Sequence, residues 1–164
     1  MKIIDDSDLQ ELIDSARASQ RKRKNHNLHP LLEDPVQRLC NAFEPGTYIR
    51  PHRHPEAGKW ELFVMLKGVA AVLLFDDSGR VTQRITLSAQ GPVRIIEIPP
   101  NTWHTLVALQ SGTVLFEVKQ GPYSALTDKD FASWAPQENT AQVAEFVAWY
   151  QTAQPGSAAP ALLQ

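Results

Sequence analysis

Between Val36 and Lys119 the chain is cut into short apolar runs by turn-forming clusters. This pattern limits the fold more than any other feature of the sequence. The runs fall near 36–43, 47–54, 60–66, 69–75, 80–87, 93–98, 103–109 and 113–119. Between them lie Glu44-Pro-Gly46, Pro55 to Gly58, Lys67-Gly68, Asp76 to Gly79, Ser88 to Pro92, Pro99-Pro-Asn101 and Gln110 to Gly112. Each run is too short for an ordinary helix, and evenly spaced short strands predict an antiparallel sandwich or barrel. Leu73 to Val81, with Asp-Asp-Ser-Gly at its centre, predicts a hairpin.

The flanks read differently. Ser7 is a candidate N-cap, with Gln10 as its capping-box partner. Leu9, Leu12, Ile13 and Ala16 then repeat at helical spacing, and the helix is expected to end near Arg21–Lys24. That basic cluster reads as a solvated helix end rather than an anion patch. Asn25, His26, Asn27 and His29 read as a polar loop, with a lid over the barrel mouth as the weaker alternative. Val143, Phe146, Val147 and Tyr150 predict a second helix, and Gln154–Gln164 a disordered tail. The expected organisation is therefore an N-terminal helix and lead-in over 1–35, a barrel over 36–122, a helical segment over 123–153 and a tail over 154–164.

With 164 residues and 43% hydrophobic content, the chain can fill one core. A formal net charge of −2 gives no general pull toward nucleic acid or membrane. Cys40 is the single cysteine, sits in an apolar run and reads as a small buried hydrophobe. No secretory or membrane-length apolar stretch is present, so a cytoplasmic location is expected.

Chemistry concentrates in two segments. His52 and His54 lie on one face of an extended strand, about 6–7 Å apart along the chain. Glu61 opens a later strand on the same parity as Phe63 and Met65, where an unpaired carboxylate is costly. His104 follows the Pro-Pro-Asn turn. Three imidazoles and one carboxylate on different strands suit one divalent transition metal: zinc, iron, manganese or nickel. Tyr48 and Arg50 share parity with the histidines and are candidate substrate contacts. Arg50 would select an anion, or else pair with Glu117 or Glu97, and Pro51 threatens the alternation. Glu117 and Lys119 share a face of the last strand and are further candidates for the cavity.

The order Gly46, His52-x-His54, Glu61, Gly68, followed by Pro99 and His104, resembles the two motifs of the cupin superfamily. The step from His54 to Glu61 is longer than the family pattern, Asn101 stands for the second-motif glycine and Ala108 for its final asparagine. The six-residue step to Gly68 favours Glu61 as the carboxylate ligand, with Glu56 in the Pro-Glu-Ala-Gly loop as its competitor. A helical N-terminus, Arg23-Lys-Asn-His-Asn-Leu-His29, Val36-Gln-Arg38, Pro45 to His54 and Gly121-Pro-Tyr123 look like the WbuC-type cupin fold metalloproteins. The resemblance implies a mostly β fold, the cupin double-stranded β-helix (jelly-roll barrel), with an N-terminal helix and a C-terminal helical segment. It also implies a metal and a setting in polysaccharide (O-antigen) biosynthesis, without a reaction.

Three functional readings stay open. One is a metal-dependent enzyme for isomerisation, epimerisation or iron-dependent oxygenation. The second is a non-catalytic module that binds a sugar or anion, and the third is a structural metal. The expected partners are a small anionic or sugar-like ligand and a second copy of the chain. Trp60, Leu62, Val64 and Leu66, with Val114, Phe116 and Val118, form the apolar faces that a homodimer or the N-terminal helix would cover.

Overall fold

The computed structural model describes residues 1–123 and 130–162. In chain order the elements are α1 (Asp6–Ala18), β1 (Arg23–Asn27), β2 (Val36–Phe43), β3 (His52–Arg53), β4 (Glu61–Lys67), β5 (Val69–Phe75), β6 (Val81–Ser88), β7 (Ile95–Ile98), β8 (Trp103–Ala108), β9 (Thr113–Gln120), β10 (Asp130–Phe131) and α2 (Val143–Thr152). Two five-stranded antiparallel sheets face each other, ordered β1-β2-β9-β4-β7 and β10-β3-β8-β5-β6. The expected mostly β, cupin-like architecture is what forms, with its two helices at the ends of the chain. No described helix is long and apolar enough to cross a membrane.

Period-two patterning sorts the side chains into three layers. Phe63, Met65, Val72, Leu87, Leu106 and Leu115 interdigitate between the sheets at one end of the sandwich. Leu73, Phe75, Trp103 and Val107 point outward from the second sheet and are capped by Phe146 and Tyr150 of α2. Leu12, Ile13 and Ala16 of α1 cover Cys40, Ala42 and Val114 on the outside of the first sheet. Cys40 is buried there, as a small hydrophobe should be. The other end of the sandwich interior is left open as a polar cavity.

Several expectations are corrected. The α1 cap is Asp5, whose carboxylate accepts from the Ser7 and Asp8 backbone N–H groups, while Asp8 accepts from the Asp5 N–H. An aspartate pair, Asp5 and Asp8, closes the box two residues before Ser7 and Gln10. The helix ends at Ala18, so the basic cluster does not cap it; Arg23 and Lys24 begin β1 instead. This polar stretch is a strand because it pairs in register with β2, Asn25 opposite Asn41 and Asn27 opposite Leu39. The run 47–54 is a strand only at His52 and Arg53. The tail is not free: Gly156 N–H donates to Val81 O, Val81 N–H to Ser157 O and Ala159 N–H to Gly79 O. It supplies partners that the start of the edge strand β6 lacks. Residues 163 and 164 lie outside the described residues.

Candidate metal centre

His52, His54, Glu61 and His104 meet at the polar end of the interior, all buried, with one ligand atom from each within 4.8 Å of the others. The sheets bring them together from opposite sides. His52 and His104 are directly paired residues of β3 and β8, with ring centroids 4.4 Å apart. Glu61 enters from β4 on the facing sheet. Asn101, at φ 61°, makes the turn that delivers β8, and its N–H donates to His54 O. Glu56 stands in an exposed turn and is not part of the cluster.

The ring orientations are set by backbone carbonyls. His52 Nδ1 lies 3.0 Å from Arg50 O, and His104 Nδ1 lies 2.8 Å from Thr102 O. A carbonyl only accepts, so each Nδ1 carries the proton and each Nε2 of a neutral ring presents a lone pair inward. His104 Nε2 faces Glu61 Oε2 at 2.8 Å, and His54 Nε2 faces Glu61 Oε1 at 3.2 Å. Glu61 Oε2 and His104 Nε2 have no hydrogen-bond donor between them in these protonation states. Two buried acceptors at contact distance call for a shared proton or a cation. Burial pushes the Glu61 carboxyl up. When the shared proton sits on the imidazoles, hydrogen bonding by His104 and His54, and the charges of His104 and Lys119, outweigh it and hold the group well below the usual carboxylate range. The donor set of three imidazoles and an anionic carboxylate therefore fits a divalent transition metal.

A charged chain supports Glu61 from behind. Lys119 Nζ lies 3.3 Å from Glu61 Oε1 and 2.7 Å from Glu117 Oε1, and Asn41 Nδ2 donates to Glu117 Oε2 at 2.6 Å. Burial lowers the Lys119 pKa, but the Glu117 and Glu61 charges raise it by more, so the ammonium persists. Both Glu117 and Lys119 thus line the cavity, Glu117 as an engaged partner of Lys119.

The cavity has a volume of about 710 Å³ and extends from the cluster to the β1 side of the sandwich. Arg50 lines it next to His52. Its Nη2 donates to Ala132 O at 2.8 Å, its guanidinium carbon lies 5.5 Å from the Phe131 ring centroid, and its Nε is buried without a hydrogen-bond partner among the described residues. The alternative ion pairs do not form, since Glu117 is held by Lys119 and Glu97 is exposed. Tyr48 is elsewhere. Its hydroxyl donates to Pro136 O and its ring stacks on Tyr150, outside the second sheet. Parity fails because residues 47–51 are not a regular strand, and Ile49 and Arg50 are both brought to the cavity.

Asn25, Asn27 and His29 also line the cavity. The sequence reads as a loop here because a polar edge strand carries no hydrophobic alternation. The odd-numbered set Arg23, Asn25 and Asn27 was the available signal, since all three line this space.

A model of the family described as a domain of unknown function (DUF6016) matches residues 4–87, just over half of the chain. No curated protein matches the sequence. Among solved structures, an oxalate oxidase in complex with the substrate analogue glycolate is similar at TM-score 0.53 and 18% identity, over 70% of this chain and 57% of that one. CapF with the inhibitor 3-isopropenyl-tropolone gives TM-score 0.53 and 18% identity, over 65% of this chain and 30% of that one. A cupin superfamily protein from Desulfitobacterium hafniense DCB-2 gives 0.49 and 17%, over 66% and 86%. At these identities the likeness is one of fold. The chain spans little more than half of the oxidase and under a third of CapF.

Proposed function

Because this chain belongs to the DUF6016 family, described as a domain of unknown function, we propose its role from the cavity itself. The protein binds one divalent transition metal through His52, His54, Glu61 and His104 and uses it to hold a small anionic metabolite. The observation that carries this reading is the facing pair Glu61 Oε2 and His104 Nε2, two buried acceptors 2.8 Å apart that a cation would satisfy. The anion follows from charge. Glu61 and Glu117 are balanced by Lys119 and Arg50, so a divalent ion leaves the cavity interior net positive. Arg50, with its buried Nε and no ion pair among the described residues, is the group that meets the ligand's acid end. The WbuC-type resemblance supports a sugar-derived metabolite of polysaccharide (O-antigen) biosynthesis.

A bound metal with open positions supplies Lewis acidity toward a coordinated carbonyl, hydroxyl or water. The chain's own residues orient the rings, keep Glu61 anionic and line the cavity that leads to them. One observation favours the second reading, a binding module in which the metal is an anchor. Of the carboxylates that line the cavity, Glu61 and Glu117 are paired with Lys119 and Glu138 with Arg21 and Arg23. None stands ready as a general base. A homodimer is part of the same proposal.

Elemental analysis of purified protein tests the metal. One equivalent of a divalent transition metal is expected, and His52→Ala with His54→Ala should abolish it. Glu61→Gln should lose the ion and Glu56→Gln should keep it. Full metal in the double histidine variant would overturn the assignment. Turnover of a bound ligand separates enzyme from binding module.

A further inference from the structure

The segment that carries two of the four candidate ligands has the shortest strand ladder of the site. β3 is two residues long and meets β8 at the single pair His52 and His104. Its other neighbour, β10, is also two residues long. By contrast, β4, which carries Glu61, runs seven residues between β7 and β9. β8, which carries His104, runs six and pairs with β5 along its whole length. A strand with so few backbone bonds holds its side chains less firmly than its neighbours do.

Arg53, between His52 and His54, adds what the ladder lacks. Its guanidinium carbon lies 4.3 Å from the ring centroid of Trp103, the residue before His104. Trp103 belongs to the layer outside the second sheet, so this stack forms on the face opposite the cavity. Trp103 Nε1 donates to Asp77 Oδ1 at 2.9 Å, and Arg53 Nη1 lies 3.6 Å from the same oxygen. Arg53 Nε donates to Asp130 Oδ2 at 2.7 Å, and Asp130 is its paired residue on β10. One side chain thus ties β3 to β8, to β10 and to the turn between β5 and β6. A planar guanidinium suits this double role, because it stacks through its face while its edge donates.

We propose that Arg53 is a positioning residue of the metal centre. By clamping β3 to Trp103 from the outer face, it fixes the imidazoles of His52 and His54 against that of His104 and preorganises the site for its ion. This rests on the metal reading above. It goes further by assigning part of the metal affinity to a side chain that is neither in the ligand cluster nor among the residues lining the cavity.

Cobalt(II) is the probe, because its visible spectrum reports coordination geometry and metal-free protein can be titrated with it. Wild-type protein is expected to bind one equivalent. Arg53→Met keeps an apolar stem over Trp103 and loses the cation with its Asp130 and Asp77 contacts. It should weaken cobalt roughly three- to tenfold and alter the visible spectrum. Arg53→Lys restores the charge without the planar fork and should recover part of the loss. Arg84→Met is the control. Arg84 donates to the Tyr150 and Ala153 carbonyls, away from β3, so its loss should leave affinity and spectrum at wild-type values whatever it does to stability. If Arg53→Met fails to fold, Asp130→Asn, at a partly exposed position, carries the same test with a smaller loss in the same direction. Wild-type protein that takes up no cobalt overturns the metal reading and this role with it. Cobalt uptake by the wild type, with an affinity and spectrum that the Arg53 or Asp130 variant changes no more than Arg84→Met does, overturns the positioning role alone.

Discussion

Glu61 sits at 3% exposure and Glu117 at 7%, and Lys119 is the cation between them. Replacing Lys119 by Met leaves two buried carboxylates without that counter-charge, a change that typically costs about 3–5 kcal/mol. A bound divalent ion neutralises Glu61 by another route. Lys119→Met is therefore expected to destabilise the metal-free protein more than the zinc-saturated one, as read by urea unfolding with and without zinc. The Lys119 pKa is raised in the folded state, so its contribution is fully present below the ordinary lysine range and is lost only as pH rises through the raised value. The loss should therefore be the same across neutral pH. Equal destabilisation in both states would show that Glu61 does not meet the metal. At this scale the sequence was a good guide where spacing mattered and a poor one where partners mattered. His52, His54, Glu61 and His104 converge as their strand positions imply, whereas nothing in the order of residues shows that Lys119 takes the carboxylate that Arg50 might have had.

The hairpins were the most legible elements, because glycine and apolar alternation speak together there. Gly68 joins β4 to β5 at φ +76°. A Cβ at this position would lie 2.9 Å from Thr113 Cα and 2.5 Å from Thr113 Oγ1, whose hydroxyl bonds the backbone of Val69 and Gln110. Gly68→Ala is expected to lose at least ~1–2 kcal/mol from the left-handed backbone alone. The contact with the Thr113 backbone adds to this, since a main-chain atom cannot swing aside. Thermal unfolding measures it, and a variant as stable as the parent would show that β4 and β9 tolerate a wider spacing here. The same physics explains what stayed hidden. β1 has no apolar face to announce it, and it becomes a strand only because the edge of β2 offers backbone partners. Residues 47–51 have the alternation of a strand but end at Pro51, which has no N–H for a ladder. Tyr48 turns out to Tyr150 instead of in to the metal.

Over the whole molecule, both sheets are covered unevenly. α2 and the segment around Trp134 close the outside of the second sheet. α1 covers the β1, β2 and β9 part of the first, at Cys40, Ala42 and Val114. The rest of that face carries Leu66 at 38% exposure and Ile95 at 57%, with Val93 at 37% beside them. β7 is also the edge strand of its sheet, four residues long, with no strand on its outer side among the described residues. An apolar face and a bare edge at one place are the combination that self-association removes. A second copy meeting this face related by a two-fold axis would bring Ile95 and Leu66 of each chain into contact. Light scattering at micromolar concentration is expected to give twice the chain mass. Ile95→Lys with Leu66→Lys should return it to the mass of one chain, because like charges would be forced together in an apolar contact. Both positions lie on the outer face, so metal content should not change. A wild-type protein of single-chain mass, or a lysine variant that still pairs, would reject this face as the dimer surface.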